Sequence, residues 1–400
     1  MTGQQVEPTR LADLARSGGT PLMATGVLAR LPFSTTPMIL LLATATTTGS
    51  YGTAGAAVAG LGIGGAVAGP LIGVWADRVG PRIPIAAVTL AQMALLVVFA
   101  LALGSVSDVV LIAIATALGA ANPVIGSFGR WAWSQRLEHH PSRRGAISTA
   151  MAWETMADET GFVIGPVIGS VLFALLGGPT TLMGLAGLAL LASTLFIGAL
   201  PRPTAAAPEL GAGLLAGLRS LPFAVLVPCG IVALLVGSVF GSVQTGVAEQ
   251  FAESGRTGLA GPVYGALGVG SAIGAALSTR LPVAWSSRRR LLLAGAVLAG
   301  AGVAMAAAEG PVLLAAGCAV AGFGVAPSLA TVYARMEGAV PRRRLTTAMV
   351  ALATCTAVGV SLGAAGAGQL IDAGLTGTVL LGASLAGVLI MVTGLALREE

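Results

Sequence analysis

Apolar runs long enough to cross a membrane follow one another along the whole chain, near 20–46, 52–76, 83–104, 108–131, 145–176, 180–200, 222–250, 258–280, 291–308, 311–335, 345–370 and 376–396. About 20 residues of helix span the hydrocarbon of a bilayer, so the pattern predicts twelve transmembrane helices joined by short polar connections. Several runs contain Gly or Pro, which bilayer helices tolerate because neighbouring helices and water satisfy the freed backbone groups.

The arginines give an independent check on the count. The N-terminal tail holds Arg10 and Arg16, and the even-numbered connections hold Arg78 and Arg82, then Arg130, Arg136, Arg143 and Arg144, then Arg202 and Arg219. The series continues with Arg280 and Arg288 to Arg290, then Arg335 and Arg342 to Arg344, and ends with Arg398. Nineteen of the 21 basic residues thus fall on one side; Arg256 falls on the other and Arg30 inside the first run. Any odd number of spans would scramble this segregation. The positive-inside rule then predicts that both termini and the even connections are cytosolic.

The longest polar connection, Pro201 to Ser220, holds Pro201, Pro203 and Pro208 and divides the chain into residues 1–200 and 221–400. The two parts read as copies. Gly62-Ile63-Gly64-Gly65-Ala66-Val67 in the second run matches Gly268-Val269-Gly270-Ser271-Ala272-Ile273 in the eighth. Pro141-Ser142-Arg143-Arg144 recurs as Pro341-Arg342-Arg343-Arg344, and Gly161 and Gly165 then fall on Gly359 and Gly363. Copies with an even number of spans are parallel repeats about an axis normal to the membrane. The expected fold is all-α, with two six-helix bundles related by pseudo-two-fold symmetry and joined by a cytosolic linker, 201–220.

Composition agrees with a membrane protein: 55% of residues are hydrophobic, 9% charged, and the mean hydropathy is +0.90, against roughly 25% charged in soluble domains. Every basic residue is Arg, and Ala and Gly abound, a usage expected of a G/C-rich bacterial genome. The pI of 9.8 carries no nucleic-acid reading here, because the positive charge is confined to one side of the membrane. Cys229, Cys318 and Cys355 lie singly in apolar runs and form neither a disulfide framework nor a metal site. His139 and His140 sit in a polar loop and are read as solvated. The polar first 20 residues lead straight into a full-length span, so no signal peptide is expected.

Gly73-Val74-Trp75-Ala76-Asp77-Arg78-Val79-Gly80-Pro81-Arg82, between the second and third runs, resembles motif A of the major facilitator superfamily, with Pro81 in place of one basic residue. With twelve spans in two halves, the resemblance covers essentially the whole chain. It implies a gating latch at Gly73, Asp77, Arg78, Gly80 and Arg82, in which an acid at a helix end is held by Arg and by helix-terminal amides. Gly161, Gly165, Pro166 and Gly169 resemble motif C, associated with drug and proton antiporters of that superfamily; Ala152 and Ser170 depart from it. Small residues there permit close helix packing and Pro166 removes a backbone hydrogen bond. The mid-membrane Arg that the family often carries in helix 4 is missing; helix 4 has Asn122 and Pro123, with Arg130 near its cytosolic end.

The fifth run also carries Glu154, Asp158 and Glu159, and acid inside a bilayer is costly enough to mark a functional site. These acids have no counterpart in the second half, where Leu352, Thr356 and Ala357 align with them. Arg30 lies ten residues into the first run and the acids nine to fourteen into the fifth. At about 1.5 Å per residue both sets sit roughly 14–21 Å deep. One Arg against three acids leaves some acid unpaired. The expectation is that Arg30 holds one acid as a structural pair while another, Asp158 or Glu159, carries a proton. A static ion-pair cluster that fixes helix packing is the alternative. Asn122, Gln244 and Glu249 are cavity candidates, although Glu249 lies near the outer end, where simple solvation is the equal alternative. Gln92, Asn122 and Gln369 read more readily as interhelical hydrogen bonds than as substrate ligands, and Trp131 and Trp133 as an interfacial belt.

The resulting expectation is a secondary transporter of a bacterial cytoplasmic membrane that exports small, partly hydrophobic molecules against protons by alternating access. It acts as a monomer in lipid, without cofactor or metal. A facilitator or proton symporter for uptake is the alternative within transport, and a receptor or scaffold on a transporter fold the alternative outside it. No phosphate-binding loop or paired nucleophile and base supports an enzyme.

Overall fold

A computed structural model describes residues 11–140, 143–201, 223–278, 285–340 and 345–397. The linker 201–220 lies outside the described residues but for Pro201, as do Arg280 and Arg342 to Arg344. Among the described residues, twelve helices are long and apolar enough to cross a membrane. They are α1 (Thr20–Thr48), α2 (Tyr51–Val79), α3 (Arg82–Ala102), α4 (Asp108–Arg136), α5 (Arg143–Leu176) and α6 (Gly178–Ala199) in the first half. The second half holds α7 (Phe223–Glu253), α8 (Ala260–Ser278), α9 (Ser287–Ala306), α10 (Pro311–Ala339), α11 (Leu345–Asp372) and α12 (Thr376–Ala396). No strand occurs among the described residues. Many hydroxyls within the spans donate to the carbonyl one turn earlier, as Thr36 does to Pro32 at 2.6 Å and Thr331 to Pro327 at 2.7 Å, while the buried hydroxyls of Thr35, Thr44 and Thr89 have no partner among the described residues.

The sequence pattern predicts α4 as one helix over 108–131, and the structure corrects this. The helix stops at Ala120 and restarts at Ile125, running on to Arg136. Pro123 lacks an N–H and drives Asn122 out of helical conformation. Val124, at φ +37°, is the one non-glycine residue with positive φ among those described. The second segment, Ile125–Arg136, therefore starts in a fresh register.

Within the first half α1 packs on α5 and α6, α2 on α4, and α3 on α6; within the second, α7 packs on α11, α8 on α10, and α9 on α12. The repeats reuse the same crossings. A side chain on Gly64 would strike the carbonyl of Thr116 in α4, and one on Gly270 that of Ala319 in α10. Gly165 lies likewise against the Ser34 carbonyl in α1, and Gly363 against Ser238 in α7.

The halves meet along two seams, α2 on α11 and α5 on α8. Both seams are packed at the end away from the arginines. Gly368 approaches Tyr51, Gly55 approaches Ala364 and Gly62 approaches Ser361; on the other seam Gly261 approaches Pro166 and Gly268 approaches Val163. Farther toward the arginine-bearing end, Gly69 faces only Val124 of its own half, Gly73 meets open space, and Val67, Leu71 and Val74 are exposed. The cores divide the same way. Met38, Leu42, Ala45, Ala54 and Val58 join one core with residues of the second half, whereas Ile72, Ala76, Ile85, Phe128 and Trp133 belong to a core of first-half residues alone. Among the described residues, the halves are packed together at one end and separate at the arginine-bearing end.

Candidate functional site

Arg30 of α1 is the centre of a charged cluster inside the first half. Its side chain is 8% exposed and makes three contacts. Nη1 donates to the Gly26 carbonyl at 2.9 Å, Nε to Asp158 Oδ1 at 2.7 Å, and Nη2 to Glu154 Oε2. Glu154 and Asp158, one turn apart on α5, present both carboxylates on one face.

The second segment of α4 completes the cluster from the opposite side. Arg130 Nη2 donates to Asp158 Oδ2 at 2.7 Å, and Trp133 Nε1 donates to Glu154 Oε1 at 2.8 Å. Gly126 and Gly129 make this approach possible, since a β-carbon at either position would press on the Asp158 or Glu154 carboxylate. Two guanidiniums thus face two carboxylates, and both oxygens of each acid are occupied. The environments of the acids differ. Glu154 is sealed, its side chain 2% exposed, while Asp158 and Arg130 are 30% and 37% exposed.

Several sequence expectations change. Arg30 holds two acids rather than one, and the count of one Arg against three acids omits Arg130, which the break in α4 turns toward α5. Trp133 belongs to no interfacial belt: it is fully buried, and Gly19, just before α1, packs on its ring. The Glu159 side chain lies outside the described residues. The signal for the missed partners is the spacing of Gly126, Arg130 and Trp133 at i, i+4 and i+7, one helical face.

The other candidates are dispersed. Gly161 and Gly165 face Ser34 of α1, Gly169 faces Thr35, and the Pro166 carbonyl faces Gly261 of α8. This stretch therefore packs on α1 and on the opposite half together, and α5 stays one helix through Pro166. Ser170, which departs from the motif C pattern, accepts the Gly261 N–H at 2.9 Å. In the motif A stretch, Gly80 makes the turn between α2 and α3 at φ +81°. Arg82 donates to the Leu200 carbonyl at 2.9 Å, at the C-terminal end of α6, where carbonyls lack helical partners. Arg78 is exposed, Gly73 is unpacked, and the Asp77 side chain lies outside the described residues. Asn122 is half-buried at the α4 break. Gln244 is buried in α7. Glu249 is 6% exposed, not solvated, and lies beside Glu253 and Tyr51, at the end where the halves are packed together.

The sequence profile described as Major Facilitator Superfamily matches residues 22–364. Solved structures share the fold over nearly the whole chain. The nucleoside transporter NupG superposes with a TM-score of 0.71 at 15% identity, over 94% of this chain and 98% of that one. The POT family transporter PepTSo gives 0.68 at 14% identity, over 94% and 97%. A bacterial homolog of the human lysosomal transporter Spinster, inward-facing and occupied, gives 0.65 at 16% identity, over 96% and 95%. No curated protein sequence matches. At these identities the likeness carries the fold alone, whereas the profile match spans most of the chain: the protein belongs to the Major Facilitator Superfamily and is a multi-pass membrane transporter.

Proposed function

We propose that the protein is a proton-coupled exporter of small, partly hydrophobic molecules, working as a single chain in a bacterial cytoplasmic membrane with both termini in the cytosol. On this reading the arginine-bearing end is cytosolic, and the structure is the inward-open state. The observation that carries the proposal is Asp158: it bridges Arg30 and Arg130 from two different helices, yet its side chain stays 30% exposed while its neighbour Glu154 is sealed. Glu154 and Arg30 form the structural pair, and Asp158 is the proton carrier.

Adding a proton to Asp158 removes the charge that both guanidiniums share, so the contact of α5 with the second segment of α4 weakens whenever the carrier is loaded. Substrate and proton then compete for one arrangement of the site, and a proton entering from outside drives substrate outward. Asp77, Arg78 and Arg82 are assigned to closing the cytosolic end.

One observation favours a second reading. Neutralising Asp158 leaves the partly exposed Arg130 without its counter-charge, which would create an anion site only in the protonated protein and so couple proton and anion uptake. Reconstituted liposomes separate the two. With an imposed proton gradient, export of lipophilic cations or neutral amphiphiles from the side bearing the arginines supports the exporter. Uptake of small carboxylates together with protons supports the symporter. Flux indifferent to the proton gradient contradicts both.

A further inference from the structure

The closed end of the molecule is held by a side chain outside the charged cluster. Asp372 is the last residue of α11, and its carboxylate crosses to the other half to cap the first turn of α2. Oδ1 accepts the Tyr51 N–H at 2.7 Å; Oδ2 accepts the Gly52 N–H at 2.9 Å and the Ser50 hydroxyl at 2.6 Å. Ser50 Oγ in turn accepts the Thr53 N–H at 3.0 Å. The first N–H with a helical partner is that of Ala54, to the Ser50 carbonyl. Of the four amides that a helix start leaves without internal partners, that of Ser50 donates to Thr48 Oγ1 at 3.2 Å and that of Thr53 to Ser50, and the other two are satisfied from the opposite half. The anion also sits at the positive end of the α2 dipole.

The fit is specific. A β-carbon on Gly52 would collide with the Asp372 carboxylate and Gln369, and Gly368 lets α11 lie against Tyr51. The other seam repeats the device in neutral form: Ser170 of α5 accepts the N–H of Gly261, the second residue of α8. Each seam is thus closed by a side chain near the C-terminal end of one helix that caps the N-terminal turn of a helix in the other half.

We infer that Asp372 is the latch of the closed end, setting the balance between the state observed and the state in which that end opens. This rests on the alternating-access reading above. Opening the seam strips two α2 amides and one carboxylate of their partners together. Because the Asp372 carboxylate is exposed, losing the charged cap favours the alternative state by about two- to fivefold in the ratio of the two.

The test measures the opposite end, where local loosening at residue 372 would not register. Spin labels at Val74→Cys and Leu277→Cys, both exposed near the arginine-bearing ends of α2 and α8, report the separation of the halves in liposomes. The background has Cys229, Cys318 and Cys355 replaced by alanine. With the native latch the long separation dominates. Asp372→Ala is expected to raise the ratio of short to long separations about two- to fivefold, Ser50→Ala to raise it less, and Asp372→Glu to restore much of the native balance. Two separations in the parent protein with a ratio unchanged in both Asp372→Ala and Ser50→Ala would overturn the latch. A single fixed separation in the parent, indifferent to proton gradients, would instead overturn the two-state reading beneath it. Should Asp372→Ala fail to fold, Ser50→Ala alone decides.

Discussion

Trp133 donates its indole N–H to Oε1 of Glu154 over 2.8 Å, joining the second segment of α4 to α5 in a fully buried place. A buried carboxylate that loses one donor keeps its desolvation cost. Trp133→Phe preserves most of the apolar body and removes only that donor, at a cost of about 1–3 kcal/mol. Thermal unfolding in detergent should show a clear fall in midpoint. An unchanged midpoint would mean that the indole contributes packing alone.

The glycines beneath the carboxylates give a sharper test. Gly129→Ala would put a methyl group onto Glu154, whereas a β-carbon on Gly184 would point into open space, so that position should accept alanine freely. Transport is expected to be lost in Gly129→Ala, with the protein still inserted, and kept in Gly184→Ala. Equal activity of the two variants would show that the close approach of α4 to α5 is unimportant.

Charge balance makes the single and double replacements of Asp158 and Arg130 non-additive. Arg130→Gln leaves Asp158 with one guanidinium and Asp158→Asn leaves two guanidiniums with one acid. The double variant restores equal counts. Coupling between directly contacting charged residues runs to about 0.5–3 kcal/mol, so the double variant should be less destabilised than the sum of the singles, as read from unfolding midpoints. Strict additivity would remove Arg130 from the cluster.

At the α5–α8 seam, Gly261 lies against the Pro166 carbonyl and the Ser170 hydroxyl. Gly261→Ala should therefore disfavour the state closed at that end. The labelled pair at Val74→Cys and Leu277→Cys would show this as a gain of short separations. A population identical to the parent would place the closing contacts elsewhere.

How far the sequence discloses this arrangement depends on what each feature needs. The spans follow from hydropathy and the parity from the arginines, because both are one-dimensional patterns. Gly64 and Gly270, or Gly165 and Gly363, are visible as repeats, and the structure shows why: each meets a carbonyl at the same crossing in its own half. Arg30 and the acids are found by counting residues to a common depth. Arg130 is hidden from that count because Asn122 to Val124 interrupt α4, and a straight helix would leave it at the membrane edge. Trp133 looks interfacial until the same break buries it. Nothing in the sequence marks Asp372, because its partners at Ser50 to Gly52 lie more than 300 positions away, beyond any local pattern.

The central claim is that Asp158 carries the coupled proton. The most direct measurement uses liposomes loaded with a pH-sensitive dye and a panel of lipophilic cations, neutral amphiphiles and small carboxylates, comparing the parent with Asp158→Asn. The account predicts substrate-dependent proton movement in the parent. In Asp158→Asn that movement disappears, while exchange of labelled for unlabelled substrate across the membrane continues. Proton movement that persists in Asp158→Asn would contradict it.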